Sequence, residues 1–186
     1  MKRIGSYLTL AVLAGCAQYA PQETASYTPA ACVGSAALPA AVAGQFDAIE
    51  DPVLLQQALG EPEQGKLCQG QVYRSKADTQ VEIFRAWNST NPNSQYGQWW
   101  AFNKPSGPVA QYRADYEICY QWSPLDKLAS CTLKAGSRVV VGTGQSAKCS
   151  EYLTYPVSET QQIFIVDAAD AVADCSISDG MLSWNP

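Results

Sequence analysis

An arginine stands where an apolar side chain would be expected. Val81, Ile83, Arg85 and Trp87 share one face of a β-like run. A guanidinium on such a face needs a partner: a carboxylate such as Glu82 or Asp115, or a ligand. Tyr96, Trp99 and Trp100 follow in a turn-rich interval, and their flat rings offer apolar area and stacking geometry. Arg113 is a second guanidinium, close in sequence to Asp115 and Glu117, so a surface ion pair competes with ligand contact. Gln162 opens a late apolar run. The chain has no histidine, which excludes Ser-His-Asp and Cys-His catalysis and an imidazole-based zinc site. Any chemistry must come from arginines, amides, hydroxyls, carboxylates, tyrosines and aromatic faces.

Cys16 is set apart from the other six of the seven cysteines. Met1-Lys2-Arg3 is a basic start, and Ile4 to Leu13 is mostly apolar but too short to span a bilayer. Leu13-Ala14-Gly15-Cys16 then reads as a bacterial lipoprotein box, with Cys16 lipidated and residues 1–15 removed as a signal peptide. Ala17 in place of an acidic residue points to the outer membrane, so the expected location is the cell envelope with membrane attachment through the lipid, and secretion as an alternative. Cys32, Cys68, Cys119, Cys131, Cys149 and Cys175 remain, an even number that predicts three disulfides in an oxidising compartment. Spacing does not choose among the pairings. There is no C-x-x-C pair, so no metal site is expected.

The formal net charge is −5, and removal of Lys2 and Arg3 makes it more negative. Such a body repels phosphate backbones, so nucleic acid is not an expected partner. Residues 16–43 are rich in Ala, Pro, Ser, Thr and Gln and read as a lipidated tether, its distal end pinned by Cys32. Residues 44–186 are long enough for one domain with a true core.

Within that domain, Asp51-Pro52 followed by Val53, Leu54, Leu55, Ala58 and Leu59 predicts one short helix, stopped by Gly60. Strands are expected at Val72 to Arg74, Val81 to Trp87, Ser137 to Gly142 and Gln162 to Val166. The intervals 88–108 and 143–160 are turn-rich and suited to carrying a site. The fold class is α+β, a mixed or antiparallel sheet with few helices. Adjacent Trp99 and Trp100 should face opposite ways, one into the core and one into a pocket. Trp87 and Trp122 are expected in the core. Gly142-Thr143-Gly144 lacks the third glycine and βαβ setting of a dinucleotide fingerprint, and there is no P-loop.

Arg85-Ala86-Trp87, Tyr96-Gly97-Gln98-Trp99-Trp100 with Pro105-Ser106-Gly107, Tyr112-Arg113 and Gln161-Gln162-Ile163-Phe164-Ile165 form an ordered series. The series resembles the ADP-ribosyltransferase-like fold, and within it the halovibrin-type secreted NAD glycohydrolases and, more distantly, the tuberculosis necrotizing toxin group. Leu133 to Gly142 looks like the penultimate strand of that fold.

The resemblance implies cleavage of the nicotinamide–ribose bond of NAD, a substrate rather than a cofactor, with no further cofactor. Such cleavage passes through an oxocarbenium-like state and does not require histidine, because nicotinamide leaves without prior protonation. Arg85 and Gln162 would be the catalytic pair, and Tyr96, Trp99 and Arg113 would bind substrate. Arg85 would hold the pyrophosphate by two-point hydrogen bonding, and Gln162 would orient the ribose. Gln161 is a register alternative, and Glu159 a possible source of a carboxylate. An amide cannot act as a general base, which favours water over a protein acceptor. A protein ADP-ribosyltransferase, or a noncatalytic envelope lipoprotein binding glycan or a protein partner, are the other readings. A cognate inhibitor is left open. Neither Arg85 nor Gln162 is expected to be needed for folding.

Overall fold

The computed structural model describes residues 31–179. The expected signal peptide, Cys16 and the first part of the expected tether lie outside the described residues. Along the chain come α1 (Ala40–Ala43), β1 (Phe46–Ala48), α2 (Pro52–Ala58), β2 (Leu67–Ser75) and β3 (Glu82–Trp87). A 3-10 turn at Pro92–Tyr96 precedes β4 (Trp99–Trp100) and α3 (Val109–Asp115). Then follow β5 (Lys127–Leu133), β6 (Arg138–Gly144), β7 (Ala147–Lys148), β8 (Thr154–Tyr155), β9 (Gln161–Phe164), α4 (Ala168–Ala171) and β10 (Val172–Asp179).

A five-stranded sheet runs β1-β2-β6-β9-β4, and a three-stranded sheet runs β10-β5-β3. Every pairing between these strands is antiparallel. Just past β4, Ala101 and Phe84 exchange two backbone hydrogen bonds of 2.8 Å, which joins the edge of one sheet to the edge of the other. This is an α+β fold, mostly antiparallel, with short helices and three disulfides.

The main core lies between the sheets. Ile83 and Trp87 of β3 and Ala129, Cys131 and Leu133 of β5 pack with Val139 and Val141 of β6 and Ile163 of β9. Val140 points the other way, into a second cluster with Leu54, Ala58, Leu67, Val72 and Phe164, where α2 covers the sheet. Burial on both faces explains why Val139-Val140-Val141 is continuously apolar rather than alternating. The expected helix forms at α2, with the Asp51 carboxylate accepting Leu54 N–H at 3.0 Å and Pro52 in the first turn.

Three features differ from the sequence-based expectation. Leu133 to Gly142 is not one strand: residues 134–137 turn, with Gly136 at φ 77°, and carry the chain from the smaller sheet to the larger. A helix, α3, forms just after the turn-rich interval, burying Tyr112. Residues 32–43 lie on the body instead of hanging free. Gln69 Nε2 donates to the carbonyls of Val33 and Gly34, Gln161 Nε2 to those of Ser35 and Ala37, and the Tyr73 hydroxyl to that of Ala36. Leu38 and Val42 pack against the main core. A polar, proline-containing segment can be held in place when its carbonyls meet donors already fixed on strands, which composition does not reveal.

The disulfides pair Cys32 with Cys68, Cys119 with Cys149 and Cys131 with Cys175. The first ties the N-terminal segment to β2. The second ties the loop after α3 to the end of β7. The third joins β5 to β10 where their register shifts.

Candidate functional site

A cavity of about 210 Å³ opens where β3, β4 and β9 meet α3 and the loop after it. Arg85, Trp99, Trp100, Tyr112, Glu117 and Gln162 line it, with Lys66 and Trp122 also contributing to its wall. Arg85 and Gln162, far apart in sequence, are brought into this one cavity by the sheet order.

Arg85 reaches it from the β3 face that otherwise feeds the core. Its Nε donates to the carbonyl of Ser94 at 2.8 Å and its Nη1 to that of Trp99 at 2.7 Å. Neither Glu82 nor Asp115 pairs with it, and no carboxylate among the described residues does. The guanidinium fastens the wall formed by residues 94–99. Burial pulls its pKa down to about 10, an effect partly opposed by Tyr112, so it stays charged at neutral pH. Gly97 lies directly over it, and a Cβ there would collide with Nη2. Two of its five N–H groups are thus spent on backbone, and the structure adds a folding role that the strand pattern did not suggest.

The other predicted residues divide. Gln162 is buried at the cavity base, its register settled by Gln161, which faces the N-terminal segment. Glu159 is exposed, packs beside Gly34 and does not line the cavity. Trp99 lines the cavity and stacks at a tilt on Phe164, with centroids 5.0 Å apart. Trp100 is a core residue that also reaches the cavity, its Nε1 donating to the Gly97 carbonyl at 2.8 Å. Tyr96 is 40% exposed and lies outside the lining.

Arg113 also lies outside the cavity lining and forms neither the ion pair nor the ligand wall expected of it. It donates to the carbonyls of Ile118, Cys119 and Ser123, bracing the loop that Cys119–Cys149 staples. Trp87 is core, but Trp122 is 51% exposed and packs over Gly65 at the cavity edge.

Glu117 is the residue that sequence reasoning missed as part of the site. It follows α3, is only 2% exposed and has backbone φ 47°, a left-handed conformation uncommon for a side chain of this kind. Gln162 Nε2 donates to its Oε2 at 2.7 Å. Burial pushes the acid up to about 9; hydrogen bonds from Gln162 and Ser158 act against that rise, and Asp115 adds to it. At neutral pH it is a protonated carboxyl. Gly144 of β6 makes room for it, since a Cβ there would collide with Oε2. The sequence signal was faint: an acid between Tyr116 and Ile118, continuing the Val109, Tyr112, Tyr116 spacing of a buried helix face.

The phenols of Tyr112 and Tyr116 are raised by burial, Tyr116 to about 12, so both stay neutral. Among the described residues no grouping of acidic and cysteine side chains could hold a metal ion, and no helix is long and apolar enough to cross a membrane. No family model, curated protein or solved structure matches the chain.

Proposed function

We propose that the cavity hydrolyses the nicotinamide–ribose bond of NAD at the cell envelope, where Cys16 would anchor the protein through lipid. The observation that carries this reading is the convergence of Arg85 from β3 and Gln162 from β9 on one aromatic-walled cavity. At about 210 Å³ the cavity is smaller than the roughly 300–1,000 Å³ typical of drug-sized ligands. It suits one ring and its sugar, with the rest of the dinucleotide lying toward Trp122.

In this reading Trp99 packs against the nicotinamide, a flat face meeting a flat face. Gln162 orients the ribose, and the enclosing wall held by Arg85 keeps the scissile bond in one geometry as positive charge develops on the sugar. Arg85 has three further N–H groups for a phosphate oxygen. Gln162 carries no charge and Glu117 is protonated, so neither presents an anionic base to activate a protein acceptor. Water serves as the acceptor.

The test is nicotinamide release from NAD by the purified chain with its disulfides intact, together with a Gln162→Ala variant. Release by wild type, lowered at least about tenfold in the variant at an unchanged melting temperature, is expected. Transfer of label from NAD to a polypeptide would replace hydrolase with transferase. Absence of turnover with retained glycan or protein binding would make this a noncatalytic lipoprotein.

A further inference from the structure

The cavity base contains a polar atom with no partner. Glu117 lines the cavity at 2% exposure, and its Oε1 is buried without a hydrogen bond among the described residues. Its Oε2, by contrast, accepts from Gln162 Nε2 at 2.7 Å, and the Ser158 hydroxyl also bonds the carboxyl. Leaving one buried oxygen unpaired beside a cavity is costly unless something entering the cavity satisfies it. The left-handed backbone at φ 47° holds the side chain there at a further steric cost, and the missing Cβ of Gly144 leaves the room for it.

We propose that Glu117, oriented by Gln162, is a ligand-binding residue that takes one hydroxyl of a vicinal diol while the Gln162 carbonyl oxygen takes the other. The proposal rests on reading the cavity as a ribose site. It adds a carboxyl from the loop after α3, outside the arginine, aromatic and glutamine series.

The chemistry selects the ligand group. Because Oε2 already accepts, the acid proton belongs on Oε1, and burial keeps that proton in place at neutral pH. Asp115, Tyr116, Tyr112, Arg85 and Lys66 are the other titratable groups nearby, and of these Arg85 and Lys66 are the basic side chains that line the cavity. A hydroxyl can accept from Glu117 while that acid is neutral and can donate to it once ionised. A carbonyl can only accept. Gln162 spends one of its two amide N–H groups on Glu117, and its carbonyl oxygen remains as an acceptor beside the acid. One donor next to one acceptor matches the neighbouring hydroxyls of a ribofuranose.

The experiment titrates nicotinamide riboside and its 2′,3′-dideoxy analogue into the disulfide-intact chain and its Glu117→Leu and Glu117→Gln variants. Nicotinamide release from NAD is followed in parallel. Wild type should prefer the diol probe by at least about tenfold, Glu117→Leu should lose that preference, and Glu117→Gln should retain it within about threefold. Equal wild-type affinity for both probes, or binding of neither, overturns the proposal without any variant. An unchanged preference in folded Glu117→Leu also overturns it, and continued nicotinamide release would then leave the hydrolase reading standing. A diol preference that depends on Glu117 but comes without nicotinamide release supports the proposal and removes the hydrolase.

Discussion

The two sides of the cavity handle buried polarity in opposite ways. On the β3 side the Arg85 guanidinium keeps its charge, and the backbone carbonyls of Ser94 and Trp99 satisfy it. At the base the Glu117 carboxyl gives up its charge, is paired through one oxygen and is bare at the other. A satisfied buried group organises the chain around it. An unsatisfied one carries a cost that whatever enters the cavity can relieve. The two neighbours therefore have different tasks: Arg85 builds the wall, and Glu117 reads what enters.

The largest effect should come from breaking the satisfied side. Arg85→Leu strands two carbonyl acceptors and releases the 94–99 wall, at roughly 1–3 kcal/mol for each lost partner, or about 2–6 kcal/mol in all. Denaturant unfolding would measure it. A loss below about 0.5 kcal/mol would mean that the wall stands without the guanidinium, and the contrast between the two sides would fail.

Close-approach glycines offer a matched and smaller perturbation. Gly97→Ala crowds the Arg85 guanidinium, and Gly144→Ala crowds Glu117 Oε2. Each should destabilise by about 1–3 kcal/mol, the usual cost of forcing an extra carbon into a filled space. Only Gly144→Ala should also displace the diol-reading carboxyl. Thermal unfolding of both, with ligand titration of each, sharpens the distinction. Equal loss of ligand affinity in the two would erase it.

The effect that is smallest over any single pH unit is a slope against pH. The Glu117 carboxyl is raised from its ordinary 4.5 to about 9 by burial, so between those values the folded protein holds a proton that the unfolded chain has released. Stability contributed by this group is fully present below its unfolded pKa and is lost as pH rises through the folded one. The loss is at most about 1.4 kcal/mol per pH unit. Glu117→Gln cannot ionise, so its stability relative to wild type should climb from about pH 5 to about pH 9. Parallel curves for the two proteins would show that the carboxyl is not buried as described.

Local sequence determined a good deal of this molecule. The Asp51-Pro52 cap and its apolar spacing specify α2, and alternation through Val81, Ile83 and Trp87 specifies which face of β3 enters the core. The run at Val139 to Val141 marks a strand buried on both sides. These are readable because cap chemistry and side-chain periodicity act within a few residues. The parity of six cysteines likewise predicted three bridges, whereas their partners depended on which strands lie side by side.

Only the tertiary structure decided that Arg85 would bind carbonyls rather than a carboxylate, since a backbone oxygen has no signature in the sequence. Arg113 went the same way, to the carbonyls of its own following loop. Trp122 lies at the cavity edge rather than in the core because its loop is stapled beside Gly65. Glu117 is buried because β6 and β9 bring Gly144 and Gln162 up to it, one without a Cβ and the other with an amide donor. Burial of a polar group is set by what the sheet order packs around it, and that order is a property of the whole chain.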